Sequence, residues 1–205
     1  MALAGFEPPW TLTGGGALAG FHTAHRATRD LDLFWRGRTT ISTLVQGVRQ
    51  RLESSGLEVI LLQDAGSLFR FAVRDGLDSS VLDLVADPVA NLTEREIMRV
   101  EGHEIGVDSR HEILINKLVA TLGRSELRDV QDIQVLLETG GDLTRAVQDA
   151  PRKDGGFSPV TLAWLLRGFA IKELATSAGW DSGQIQRLVA FRDDLVLRLT
   201  DLGRP

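Results

Sequence analysis

The chain has 205 residues, 43% of them hydrophobic and 25% charged, a balance that excludes disordered, collagen-like and coiled-coil proteins and suits one compact domain, or a domain with a smaller helical annex. It contains no cysteine, so disulfides, zinc-thiolate centres, iron-sulfur clusters and thiol catalysis are excluded together, and any metal must sit on oxygen or histidine. The 28 acidic and 23 basic residues give a formal net charge of −5, without the basic excess that nonspecific nucleic-acid binding uses.

Met1 to Pro9 lacks the basic start and apolar run of a signal peptide, and no stretch is long and apolar enough for a membrane span, which predicts a cytoplasmic protein with no membrane association. Thr11 to Thr13 reads as a short extended segment leading to Gly14, Gly15 and Gly16, after which Ala17 to His25 reads as a helix. Leu31 to Trp35 alternates as a strand, with Leu31, Leu33 and Trp35 on one face and Asp30, Asp32 and Phe34 on the other. From an N-cap at Thr39 or Thr40, the residues Ile41, Leu44, Val45, Val48 and Leu52 recur at helical spacing until Gly56. Three strand-like runs follow, 57–62, 67–74 and 80–85, separated by Asp64-Ala65-Gly66 and Asp75-Gly76 turn signals that suggest antiparallel ribbons. In the middle run Phe69, Phe71 and Val73 alternate with Arg70, Ala72 and Arg74. A further pair is expected between Ile97 and Val107.

From about Ser109 the pattern is helical. Helices are expected over 110–122, 127–138 and 142–149, then one long apolar helix from Ser158 and Pro159 to about Ser177, and a last helix over 184–202 capped by Asp181 or Ser182.

Asp30 and Asp32 lie two apart on an extended chain, which projects both carboxylates from one face with their Cα atoms about 6.5 to 7 Å apart, close enough to share divalent cations. The competing reading is a strand with a wet polar face, against which stand the strongly apolar opposite face and flanks. Asp83, between Val81 and Val85, either completes the cluster from a neighbouring strand or is an edge-strand charge. Burying like charges without a cation is costly, and carboxylates prefer hard ions such as magnesium. The glycine run is either a tight turn or a concave loop whose amides receive phosphate oxygens at a helix N-terminus.

Taken in order, Gly14-Gly15, His25-Arg26, Asp30-Leu31-Asp32-Leu33-Phe34 and Asp83 resemble the catalytic half of the polymerase-β-like nucleotidyltransferases, and more narrowly the AbiEii group of nucleotidyltransferase toxins, which includes the MenT toxins. Lys117, Arg124, Arg128-Asp129 and Asp132 resemble that group's downstream Lys-to-Arg and Arg-Asp-x-x-Asp motifs, so the resemblance spans roughly Thr13 to Leu137. It implies an α+β fold: a small mixed β-sheet nucleotidyltransferase core with flanking helices over residues 1–108, followed by a helical C-terminal region over 109–205.

It further implies that Asp30, Asp32 and Asp83 hold two magnesium ions, with Asp83 acting on the attacking hydroxyl, and that Gly14, Gly15 and Gly16 cradle the phosphates of an NTP. Arg26 takes a binding or strand-bracing role. Lys117 and Arg124, seven residues apart on one helix face, reach the triphosphate together with Arg128, or else form a solvated basic edge. Asp129 is a base, orients Lys117, or makes a structural ion pair, and Asp132 shares those alternatives. Gly16 departs from the group's pattern, which commonly has Ser or Thr there.

The implied activity is magnesium-dependent transfer of a nucleoside monophosphate from an NTP to a hydroxyl, the tRNA 3′ end in MenT-like toxins, within a toxin-antitoxin pair whose partner is an AbiEi-like antitoxin. A protein hydroxyl is the second acceptor. A non-catalytic nucleotide- or partner-binding protein on a degenerate scaffold is the alternative that Gly16 keeps open. An acidic chain must meet RNA locally, and Arg26, Arg29, Arg36, Arg38, Arg49 and Arg51 in the first quarter, with Lys117, Arg124 and Arg128 later, are the basic residues available to do so.

Overall fold

The computed structural model describes residues 2–124 and 126–204, and the chain divides into two compact units, residues 1–112 and 113–205. The first unit is built on β1 (Thr11–Thr13), β2 (Asp30–Arg36), β3 (Glu58–Asp64), β4 (Leu68–Asp75), β5 (Asp78–Asp87), β6 (Glu96–Val100) and β7 (His103–Val107), which form one mixed sheet in the spatial order β3-β4-β5-β2-β1-β7-β6. The three runs expected after residue 56 are β3 to β5, paired antiparallel in succession, and the later pair is the β6–β7 hairpin. β2 lies between β1, antiparallel to it, and β5, parallel to it. Parallel neighbours need a long crossover, here supplied by α2 (Ser42–Ser54) and the β3–β4 hairpin.

The period-two alternation of β2 sets the two faces of this sheet. Leu33 and Trp35 are buried and share a face with their register partners Leu84 and Ala86 of β5, which are buried too, as are Phe69 and Phe71 of β4. Each large apolar side chain taken out of water here contributes about 1.5–3 kcal/mol. The Trp35 indole donates to the Pro8 carbonyl at 2.8 Å, so its polar atom is satisfied. Helix α2 buries Val48 and Leu52. Its N-cap position is Ile41 rather than Thr39 or Thr40, and the Thr40 hydroxyl accepts from the Ser42 amide at 3.3 Å instead.

The glycine run departs from expectation. It is the first turn of a helix, α1 (Gly14–Ala17), which continues as a π-helical segment over Leu18–Thr23. Gly14 turns the chain out of β1 with a φ of +62°, and a Cβ on Gly16 would meet the Asp30 carbonyl oxygen and the Leu31 side chain at 3.2 Å each. The helix thus approaches β2 more closely than a side chain comfortably permits, which is what Gly14 and Gly16 are for. It stops short of His25 because Ala24 adopts a left-handed conformation.

Helix α3 (Arg110–Gly123) carries the division between the units. The second unit continues with α4 (Leu127–Glu138), α5 (Leu143–Asp149), α6 (Pro159–Gly168), α7 (Ile171–Ser177) and α8 (Ser182–Leu202). Asp142 caps α5 and Ser158 caps α6 through side-chain acceptors. Asp181 and Gln184 form a reciprocal capping box on α8, the arrangement that satisfies two orphan amides at once.

The single apolar helix expected from Ser158 to Ser177 is two helices. Phe169 is extended at ψ 119° between α6 and α7, which turns its ring into the interior, where it is 8% exposed. Arg192 of α8 donates to the Leu166 and Phe169 carbonyls at 3.2 and 3.0 Å, so the acceptors freed by the break find a charged donor. Among the described residues, no helix is long and apolar enough to cross a membrane.

Candidate active site

One register row crosses the middle of the sheet. Arg70 of β4 stands opposite Asp83 of β5, Asp83 opposite Asp32 of β2, and Asp32 opposite Thr13 of β1. Residues in one row project to the same face, and Asp30, two residues earlier on β2, joins them there. The three carboxylates are therefore gathered on one face of two adjacent parallel strands. Asp83 is no edge charge, because β5 is flanked by β4 and β2 and Asp83 is 7% exposed.

Burial of Asp83 is compensated by a cation that sequence reasoning did not single out. The Arg70 guanidinium donates from Nε to Asp83 Oδ1 at 2.7 Å and from Nη2 to Oδ2 at 2.6 Å, a two-point fork of the strong, charge-assisted kind. The hydrogen bond to Asp83 pushes the Arg70 pKa above its ordinary value against the opposing effect of burial, and the charges of Asp83, Asp30 and Asp32 add to the rise. The signal was present in the sequence: the alternation of β4 puts Arg70 on the face opposite Phe69 and Phe71.

Among the described residues, no group of three His, Asp or Glu side chains converges tightly enough, as it stands, to hold a metal ion. The donor set nonetheless fits a hard divalent cation, since it is all-oxygen and the row already draws a positive group, the Arg70 guanidinium, whose charge interacts with all three carboxylates.

The glycines face this site unequally. A Cβ on Gly14 would overlap Asp32 Oδ2 and lie 3.1 Å from its Cγ, whereas a Cβ on Gly15 would meet only the Arg26 guanidinium, with Nη2 at 2.6 Å. A side chain at position 16 would start towards the β2 backbone and Leu31, so a Ser or Thr at this position would begin on the packed side of α1 and not beside Asp32. Gly14→Ala is expected to cost about 1–3 kcal/mol through its positive φ and to displace the Asp32 carboxylate. Gly15→Ala meets only the far end of a flexible side chain and should leave the melting temperature nearly unchanged. Thermal unfolding of the two variants checks the difference.

His25 Nδ1 lies 2.7 Å from the Thr23 hydroxyl, a local contact, and His22 Nε2 lies 2.9 Å from the carbonyl oxygen of Asp108, which follows β7. Several arginines of the first quarter are committed to structure. Arg36 is paired with Asp87 and with Asp108 and lies over the Phe34 ring. Arg49 pairs with Glu53, and Arg51 donates to the Ala4 carbonyl. Arg36 in particular, with its side chain 10% exposed, is no part of a solvent-facing basic rim.

The downstream motif residues form a cluster within the second unit. Lys117 Nζ lies 2.8 Å from Asp129 Oδ1 and 2.8 Å from Asp132 Oδ2, and both carboxylates are fully buried. Arg124 follows the end of α3 and donates from Nε to Asp129 Oδ2 at 2.8 Å, while its side chain stays 53% exposed. Burial alone would raise the Asp129 pKa, but the Arg124 hydrogen bond, with the charge and hydrogen bond of Lys117, holds it below the ordinary carboxylate range. Arg128 pairs with Glu126 at 2.9 Å. The contacts join α3 to α4 through a buried ion cluster, a geometry common to the alternatives in which Asp129 and Asp132 orient Lys117 and in which they make structural ion pairs.

Residues 1–186 match the family model described as the nucleotidyl transferase AbiEii toxin of a type IV toxin-antitoxin system. Solved structures of the same fold include a candidate nucleotidyltransferase from H. pylori, with a TM-score of 0.53, 19% identity and coverage of 97% of this chain and 91% of that one. JHP933 from Helicobacter pylori gives a TM-score of 0.52 and 19% identity over 95% and 87% of the two chains. The nucleotidyltransferase toxin MenT4 from Mycobacterium tuberculosis gives a TM-score of 0.52 and 16% identity over 96% and 85%. Among curated proteins none matches the chain in sequence.

Proposed function

The chain belongs to the AbiEii family of nucleotidyltransferase toxins of type IV toxin-antitoxin systems, and from that premise we propose that it moves a nucleoside monophosphate from an NTP to the 3′-terminal hydroxyl of a tRNA, using magnesium on Asp30, Asp32 and Asp83. The observation that carries the reading is the register of β2 with β5, which sets Asp83 opposite Asp32 on the polar face of the sheet.

In the proposed step the acceptor hydroxyl oxygen bonds to the α-phosphorus, the bond from that phosphorus to the β-phosphate oxygen breaks, and pyrophosphate leaves. The hydroxyl proton passes to a carboxylate oxygen of Asp83. Bound magnesium supplies charge neutralisation of the triphosphate and lowers the pKa of the acceptor hydroxyl. Asp30 and Asp32 hold the cations from one strand face. The amides of Gly14, Gly15 and Gly16 at the start of α1 face phosphate oxygens, with Arg26 lying against Gly15 as a further phosphate ligand.

In the second unit Arg124, the solvent-reaching member of its cluster, and Arg128 bind phosphate, while Asp129 and Asp132 position Lys117 and Arg124 for the same task. Asp129 suits positioning better than proton abstraction, because it is fully buried and Arg124 and Lys117 hold its pKa below the ordinary carboxylate range. The protein works in the cytoplasm opposite an AbiEi-like antitoxin.

With a net charge of −5, the protein should bind tRNA weakly and lose affinity steeply as salt rises. The test incubates purified protein with magnesium, each α-labelled NTP in turn and total tRNA, comparing wild type with Asp30→Ala and Asp83→Ala. Label in tRNA that both variants abolish is the expected result. Label in protein instead would assign the protein-hydroxyl acceptor, and NTP binding without any transfer would overturn the catalytic reading in favour of a binding protein.

A further inference from the structure

We infer that Arg70 is a displaceable counter-ion built into the carboxylate row: its guanidinium and a divalent cation compete for Asp83, so the site loads metal only as Arg70 lets go. This rests on the proposed metal role of Asp30, Asp32 and Asp83. Both Asp83 oxygens are engaged by the two-point fork, and the fork is planar and directional, so it fixes the carboxylate as well as neutralising it. A divalent cation seated on Asp83 would stand beside a guanidinium, and the like-charge repulsion opposes joint occupancy.

The burial asymmetry gives Arg70 a way out. Its side chain is 44% exposed while that of Asp83 is 10% exposed, so the carboxylate is fixed in the sheet and the cation is the partner free to swing into water. Three acids gathered on one sheet face repel one another, and Arg70, bonded to Asp83, offsets part of that charge until another cation arrives. Arg70 is accordingly a positioning residue for Asp83, and its removal should strengthen metal binding, which loss of a merely structural ion pair would not do.

The experiment measures binding of Mn2+ alone, without nucleotide, by calorimetry and electron paramagnetic resonance, on wild type, Arg70→Gln, Arg70→Lys and Asp32→Asn. Arg70→Gln is expected to bind Mn2+ about tenfold more tightly than wild type, the scale of one partly exposed charge-assisted fork, with Arg70→Lys between them and Asp32→Asn weaker than wild type. Equal affinity in wild type and Arg70→Gln, with loss in Asp32→Asn, overturns the competition and leaves the metal site standing. Absence of Mn2+ binding in every protein overturns both.

A measurement on wild type guards against a variant that fails to fold. The Arg70 Nε–H resonance should move or broaden as Mg2+ is titrated, and a resonance that stays put while Mg2+ binds would overturn the inference.

Discussion

Asp32→Asn is expected to reduce nucleotidyl transfer by about 10³-fold while the melting temperature changes little. The two effects separate because of where Asp32 sits. Its register partners are Asp83 on one side and Thr13 on the other, and Asp30 shares its face, so removing one negative charge relieves repulsion among the acids, offset by the lost attraction to the Arg70 guanidinium, without emptying the core. The amide keeps the shape of the carboxylate, and Gly14 still fits against it. What it loses is the anionic oxygen a hard cation requires.

Asp83→Asn should behave differently. It strips Arg70 of its fork and so lowers stability as well, by about 1 kcal/mol for a partly exposed pair. The check is the initial rate of label transfer at saturating magnesium, set beside thermal unfolding followed by circular dichroism. If Asp32 were only a structural partner in a charged row, rate and melting temperature would fall together.

The parts of this site that were legible in the sequence are those that short-range pattern controls. The period-two alternation of 31–35 placed Asp30 and Asp32 on one face, and the same rule applied to β4 and β5 yields the faces of Arg70 and Asp83. Pattern does not encode which strands become neighbours. That β5 pairs with β2 in parallel, and in the register that sets Asp83 against Asp32, follows from the long crossover through α2 and the β3–β4 hairpin, so the Arg70 fork is a tertiary fact. The glycine run is ambiguous for a related reason. Three glycines read locally as a tight turn or as a concave loop at a helix N-terminus, but what requires Gly14 and Gly16 is the close approach of α1 to β2, and that approach appears in no local window.

The break between α6 and α7 is likewise set from outside. The segment reads as one apolar helix, yet Arg192 from α8 satisfies the carbonyls that the break releases. The downstream motif was visible as residue types at helical spacing. Whether Lys117 meets solvent or lies between two buried carboxylates depends on how α3 packs against α4.

That packing sets the second large effect. Lys117→Met is expected to destabilise the protein by about 3–5 kcal/mol, because it removes from a buried ion cluster the ammonium that both carboxylates share and leaves their charge under-compensated. Asp129 and Asp132 are fully buried, each with an oxygen 2.8 Å from the Lys117 ammonium, and the thioether offers neither charge nor donor. A loss of that size is a large share of the 5–15 kcal/mol typical of a folded protein. Adding Asp132→Asn to Lys117→Met should recover part of it, since the two sites are directly coupled. Urea unfolding of the two single variants and the double variant gives the coupling energy, and strict additivity would count against the cluster.

The pH dependence follows from the same contacts. The folded-state pKa of Asp129 lies below its ordinary value of 3.8, so in the pH range below that value the unfolded chain binds more protons than the folded one. The stabilisation is complete above the ordinary pKa and is lost as pH falls through it towards the lower folded value. Wild type should therefore lose stability progressively on acidification, and Asp129→Asn, less stable at neutral pH, should show a flatter acid limb. An acid limb as steep in Asp129→Asn as in wild type would mean that other carboxylates carry the dependence.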